Sequence, residues 1–275
     1  MITELFGQLS WLGHDLPVAA PNSNWFDLLE NFTGLTVERQ TAPKGVPVLS
    51  ILDNHHVLVN GGDLRAFPSL ENLKAWLFLT VSDVMITDGG FTTFHAAGLA
   101  LDGSATLFSG PPWSGKSSFA FEAQRSGLEV IGDDQVCVDA PSGMILPLPR
   151  PLKRRLVSDG SERLLSPQAL RAQLDDEFVG LEPRRTAALP PPEQRYAVGK
   201  IFHLERHSGA GVDVRTLQKS EARLALLNQI RSYHPKYFLA NAAAATQMLA
   251  SLPNFCMSVG DGEIPRALDL VRNLN

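Results

Sequence analysis

The spacing of apolar and polar positions divides the chain at Asp88-Gly89-Gly90. Before that point the pattern is short and rich in asparagine. Residues 1–12 are mildly amphipathic and read as a first helix or strand. Residues 46–52 and 56–59 read as strands, with a tight turn at Asp53-Asn54. Asn60-Gly61-Gly62-Asp63 marks a second turn, so a hairpin is expected here. Residues 69–79 predict a short helix: Ser69 can cap it, and Leu70, Leu73, Leu77 and Phe78 recur at helical spacing.

After the two glycines the pattern changes. Residues 93–101 form an apolar, strand-like run, Asp102-Gly103 turns the chain, and 105–109 is a short β run. Residues 116–125 predict a helix with Phe119, Ala120 and Ala123 apolar and Gly127 where a helix commonly ends. A buried strand over 128–131 follows. Residues 136–138 and 144–148 flank a turn at 139–143. The stretches 147–155 and 182–195 are rich in proline and arginine and read as loops. Strands are expected over 198–204, 212–217 and 255–259, and helices over 220–230, 235–250 and 263–274, the last with Pro265 in its first turn. The expected organisation is a small α+β domain over 1–88, available for substrate or partner recognition, and a larger domain over 89–275.

Composition narrows the partners. The 275 residues are 44% hydrophobic, enough for a packed core, and carry a net charge of −5. That balance argues against a general nucleic-acid-binding surface, which needs a basic footprint. Cys137 and Cys256 have neither zinc-site nor disulfide-framework spacing, which points to reducing cytoplasm. No stretch has the make-up of a signal peptide, and no apolar run is long enough to span a bilayer, so no membrane partner is expected.

Candidate chemistry begins at Gly110-Pro-Pro-Trp-Ser-Gly115-Lys116-Ser117, which fits the phosphate-binding pattern G-x-x-x-x-G-K-S/T. The expected strand before it and helix after it meet the physical requirement. Phosphates need backbone N–H groups at a helix N-terminus, where the helix dipole also favours anions. Proline has no N–H, but Pro111 and Pro112 precede the stretch from Trp113, Ser114 and Gly115 to Ser118 whose amides are expected to wrap the phosphate. Lys116 is expected to reach the β- and γ-phosphates and Ser117 Oγ to take a place on Mg²⁺. Trp113 either lies over a bound nucleotide or substrate or packs against a neighbouring loop.

Asp133 and Asp134 follow the strand after this helix. A helical crossover makes that strand parallel to the strand before the loop and near it. Ligands bind at the C-terminal ends of such strands. An aspartate there can accept the proton of an attacking hydroxyl or hold Mg²⁺ directly or through water. His95 precedes the loop in an apolar stretch; the remaining histidines read as structural.

Taken together, Phe94-His95-Ala-Ala, Asp102-Gly103, the 110–118 loop and Gly127-Leu-Glu-Val-Ile-Gly-Asp133-Asp134 resemble the catalytic domain of HPr kinase/phosphorylase, and more closely its stand-alone relatives. The resemblance covers roughly 91–227. It implies Asp133 as the acid/base toward a serine hydroxyl or water, His95 as its support, and Asp134 near the metal. It also implies association into a homo-oligomer, and a fold shared with phosphoenolpyruvate carboxykinase: an α/β P-loop domain with a mixed sheet and flanking helices, preceded here by the small α+β domain. The chain departs from the family after the aspartates. It lacks the glycine-containing acidic signature and has Pro147-Leu-Pro-Arg150-Pro-Leu-Lys153-Arg-Arg155 instead. HPr as substrate and the reverse phosphorylase reaction therefore do not follow. A basic loop with Arg150 and Lys153 can hold a γ-phosphate or an acidic peptide, or can simply be solvated.

The leading expectation is an ATP- and Mg²⁺-dependent kinase acting on a hydroxyl, such as serine, of a peptide, protein or small molecule. Lys116, Asp133 and His95 would form its catalytic group. The alternatives are a nucleotide-binding sensor or assembly module without turnover and, last, a carboxykinase-like enzyme.

Overall fold

The computed structural model describes residues 5–42, 45–139, 142–148, 150–156, 165–174, 176–183 and 193–274. It is a mixed α/β fold of several open sheets and helices. The chain begins with β1 (Leu5–Trp11), β2 (His14–Ala20), α1 (Asn24–Thr33) and β3 (Val37–Gln40). Helix α1 buries Trp25, Phe26, Leu29 and Phe32, one face at helical spacing, and stops at Gly34, whose left-handed φ of 77° lets its N–H reach the Glu30 carbonyl. Next come β4 (Leu49–Ile51), β5 (His56–Val59) and β6 (Asp63–Ala66), paired as successive hairpins. At the first turn, Asp53 Oδ1 accepts the N–H groups of His55 and His56. Helix α2 (Leu70–Asp88) runs longer than its predicted end at residue 79, and Ser69 Oγ caps it through the Asn72 N–H at 3.2 Å.

Strands β7 (Thr92–Phe94), β8 (Ala96–Leu101) and β9 (Ser104–Ser109) lead to α3 (Lys116–Arg125). Then follow β10 (Glu129–Gly132), β11 (Val136–Asp139), β12 (Met144–Leu146), β13 (Leu152–Arg155), β14 (Leu170–Leu174), β15 (Glu177–Glu182), β16 (Val198–Arg206) and β17 (Val212–Thr216). The chain closes with α4 (Lys219–Leu227), β18 (Ile230–Ser232), α5 (Phe238–Ala250), β19 (Asn254–Val259) and α6 (Ile264–Asn273).

Two compact units emerge: Met1–Met85 with Pro149–Thr186, and Ile86–Leu148 with Ala187–Asn275. The first contains the six-stranded sheet β3-β1-β2-β4-β5-β6 and the three-stranded sheet β13-β15-β14. The second contains the six-stranded sheet β10-β8-β9-β16-β19-β17 and the four-stranded sheet β12-β11-β7-β18.

Several expectations are corrected. The run 93–101 is not one strand: it breaks at His95, and its halves join different sheets. Part of the loop expected over 147–155 is β13, which pairs antiparallel with β15. Its Lys-Arg-Arg run shows no apolar alternation, so only the partner strand reveals it. The loop expected over 182–195 lies mostly outside the described residues, as does part of the turn at 139–143. Among the described residues no helix is long and apolar enough to cross a membrane.

The larger sheet of the second unit is mixed. β9 pairs antiparallel with β8 and parallel with β16, and β16 pairs parallel with β19. β10 pairs antiparallel with β8, so it runs in the direction of β9 but one strand removed from it. On one face, Phe108 stacks on Phe119 of α3 at 4.4 Å between ring centroids and on Phe202 at 5.6 Å, and Phe202 stacks on Phe255. On the other face, Leu107, Ile201, Leu226, Ala245 and Leu249 share one buried cluster with residues of the second sheet. Both faces of β9 are therefore held in packed cores, which fixes the end of the strand that carries the glycine-rich segment.

Candidate functional site

The segment 110–115 links β9 to α3 as the sequence pattern requires. Gly110 has a φ of 151°, and a Cβ there would meet the Leu204 carbonyl oxygen at 2.6 Å and Ser114 Oγ at 2.7 Å. Neighbouring β16 thus presses against the start of the loop, and only glycine fits. Trp113 and Gly115 also have positive φ, 69° and 102°. Alternation of this kind turns successive amides toward one concave side, the geometry of an anion-binding nest. Gly115 is the N-cap of α3, and no side-chain hydrogen bond caps this end of the helix, where the helix dipole favours an anion. One expected donor is otherwise engaged: the Ser114 N–H bonds the Pro111 carbonyl at 3.2 Å and closes the turn.

Lys116 is buried, and its Nζ donates to the carbonyls of Gly110 at 2.8 Å and Pro111 at 2.9 Å. The ammonium is thereby folded across the loop instead of pointing into solvent. Ser114 is buried, Ser117 and Ser118 are partly buried, and Trp113 is 64% exposed.

Strand register brings the other expected residues to the same edge. Ala96 lies opposite Ser109, so His95 is one step past the last paired residue of β9. Gly132 lies opposite Gly98, which lies opposite Leu107. Asp133 therefore emerges about two strand spacings, roughly 10 Å, from the end of β9. Both aspartates lie in the bend after β10, which separates their side chains. Asp133 is buried at 2% exposure, whereas Asp134 takes a left-handed φ of 67° and its side chain is 39% exposed. His95 Nε2 lies 3.1 Å from Asp134 Oδ1. The histidine contact is thus with the aspartate expected near a metal, and the supporting role toward Asp133 is not what this bond provides.

Arg150 and Lys153 belong to the first unit, not to the unit holding the loop. Arg150 is buried and its Nη1 is 2.5 Å from Asp83 Oδ1; Lys153 lies on β13. Among the described residues no group of three or more His, Cys, Asp or Glu side chains could hold a metal ion.

Two residues that the sequence did not single out flank the loop. Arg206, at the end of β16, has Nη1 at 3.8 Å and Cδ at 4.0 Å from the place where a Gly115 Cβ would be. Its Nη2 donates to Asp261 Oδ1 at 3.0 Å. In the sequence, Glu205-Arg206 looks like a solvated strand end; only the parallel pairing of β9 with β16 reveals the proximity. His203 lies opposite Ser109 and is structural. The Asn254 amide gives its N–H groups to Leu249 and Leu252, leaving its oxygen for His203 Nε2 at 2.8 Å. Burial holds the His203 imidazole below the usual histidine pKa, and the bond to Asn254 partly opposes that shift.

No protein-family model matches the chain, and no curated protein does. Among solved structures, the chain is similar to the Hpr(Ser) kinase/phosphatase from Coxiella burnetii, with 12% sequence identity and a TM-score of 0.31 over 66% of this chain and 94% of that one. That likeness is weak and partial.

Proposed function

We propose that the chain is an ATP-dependent kinase that transfers the γ-phosphoryl group to a hydroxyl, such as serine, of a peptide, protein or small molecule. The observation that carries this reading is the β9–α3 loop: a helix N-terminus without a side-chain cap, alternating φ signs and Lys116 folded over the loop carbonyls. A helix N-terminus and an alternating-φ nest are the features that cradle a phosphate chain. The mixed sheet, with β9 between an antiparallel and a parallel neighbour, fits the P-loop variant of HPr kinase and phosphoenolpyruvate carboxykinase. The first unit is assigned to recognition of the acceptor or of a partner.

In this mechanism the amides of 115–118 hold the phosphates and Lys116 offsets their charge. Trp113, exposed at the rim, covers the bound nucleotide. Asp133 takes the proton of the acceptor hydroxyl as its oxygen bonds to the γ-phosphorus and the bond to the bridging oxygen breaks, releasing ADP. Ser117 Oγ and the half-exposed Asp134 carboxylate would hold Mg²⁺. Mg²⁺ takes one or two protein oxygens and completes its shell with phosphate and water. When bound, it would neutralise part of the charge on the phosphates. His95 orients Asp134 through their bond.

The test is Asp133→Asn with labelled ATP, Mg²⁺ and serine-containing peptides as acceptors. Transfer should fall by about 100-fold or more while the ATP Kd changes little. Unchanged turnover would remove Asp133 from the mechanism. Tight ATP binding by the wild-type protein with neither transfer nor hydrolysis would make it a nucleotide sensor.

A further inference from the structure

The loop has two flanks, and the expected reacting groups occupy only one. His95, Asp133 and Asp134 lie on the β8 and β10 side of β9. If the γ-phosphate and acceptor meet there, the nucleoside must extend across the opposite flank, over β16 and β19. That flank carries a preformed surface. The segment after β16 is bound to the one after β19: the His207 N–H donates to the Val259 carbonyl at 3.3 Å, Gly260 to Gly211 at 2.9 Å and Asp261 to Gly209 at 2.8 Å. Gly260 sits so close to Gly209 that a Cβ there would collide with its carbonyl oxygen. The outer face, Ser208-Gly209-Ala210, is exposed and nearly free of side chains. At its border with the loop stands Arg206, fixed by Asp261 and running alongside Gly115.

We propose that this surface is the nucleoside subsite and that the Arg206 guanidinium stacks on the base. The inference rests on the phosphate-binding reading of the loop. A guanidinium is planar, remains charged and stacks on aromatic faces. Because Asp261 already holds it, little further ordering is needed on binding. An ordinary surface ion pair would serve no purpose beyond a small stabilisation; this one fixes a flat cation against the N-terminus of the phosphate-binding helix.

The experiment measures direct binding of ATP, ADP and inorganic tripolyphosphate, each with Mg²⁺, to wild type, Arg206→Ala, Arg206→Gln and Lys116→Ala. Loss of the stack should weaken ATP and ADP about tenfold and equally, and leave tripolyphosphate within about twofold. Arg206→Gln keeps a polar side chain and part of the stem and should show the same selective loss, and an unchanged melting temperature in both variants separates the effect from a disturbed fold. Lys116→Ala should weaken all three ligands. Wild-type affinity for ATP in both Arg206 variants would overturn the proposal. Equal weakening of ATP and tripolyphosphate would also overturn it, by assigning the guanidinium to the phosphate chain. If wild type binds neither ATP nor tripolyphosphate, the phosphate-site reading itself fails, and the subsite with it.

Discussion

Gly110 shows how much of the candidate site rests on a missing side chain. A methyl group there meets the Leu204 carbonyl at 2.6 Å, a backbone atom that cannot swing away, and Ser114 Oγ at 2.7 Å. Gly110→Ala should therefore cost about 1–3 kcal/mol in denaturant unfolding and sharply weaken ATP binding, because β9 and β16 must part to admit it. A variant with unchanged stability and affinity would mean that this approach is not needed. The motif residues were legible in the sequence because their spacing is set by local geometry. The His95–Asp134 bond was not, since it depends on a left-handed bend at Asp134 that a paired-aspartate pattern does not announce. Arg206 was hidden for a related reason: a charged strand end looks the same whether it faces bulk water or a neighbouring loop.

Among the elements, β16 and β19 are tied by a buried polar bond between His203 and Asn254. The His203 pKa is lowered in the folded state, so folding favours the neutral ring. Between the folded and unfolded values the unfolded chain binds more protons, and stability rises with pH. The contribution is complete above the unfolded value of about 6.5 and is lost as pH falls from there toward the folded value. Thermal melts should show a loss of stability below that pH, with a shallower slope in His203→Gln. An identical slope would assign the acid sensitivity to other groups. Helix α3 was predicted with its observed limits because glycine, lysine and the apolar face all agree. By contrast, α1 gave no sequence-level prediction although its Trp25, Phe26, Leu29 and Phe32 stripe is clear once seen. Local alternation gives no strand signal for β14 and β15 and reads β13 as loop, because pairing with distant residues makes them strands.

For the whole molecule, the division into two units gives a ligand effect with an address. Every element of the loop, the aspartate bend and the Arg206 flank falls within Ile86–Leu148 and Ala187–Asn275. Nucleotide at about 100 times its Kd should stabilise the binding-competent state by about 2.7 kcal/mol. Hydrogen exchange should then slow in α3, in the bend after β10 and in the segments after β16 and β19, with the largest protection confined to the second unit. Protection centred on the first unit would move the binding site there. The sequence suggested a linear split, but Pro149–Thr186 groups with Met1–Met85, a return that only three-dimensional contacts can reveal.

The change of sheet at His95 has a consequence for how the chain can vary in length. Strand β8 alternates small residues, Ala96, Gly98 and Ala100, with Ala97, Leu99 and Leu101. The small side is tight, since a Cβ at Gly98 would lie 3.0 Å from Val136 Cγ1. One residue deleted at the junction would bring Leu99 to the place of Gly98, and one inserted would bring Ala97 there, if the pairing of β8 were displaced with it. A change in the number of residues displaces every partner of β8 at once, so between Phe94 and Ala96 the length of the joint is itself a constraint, apart from what its side chains do.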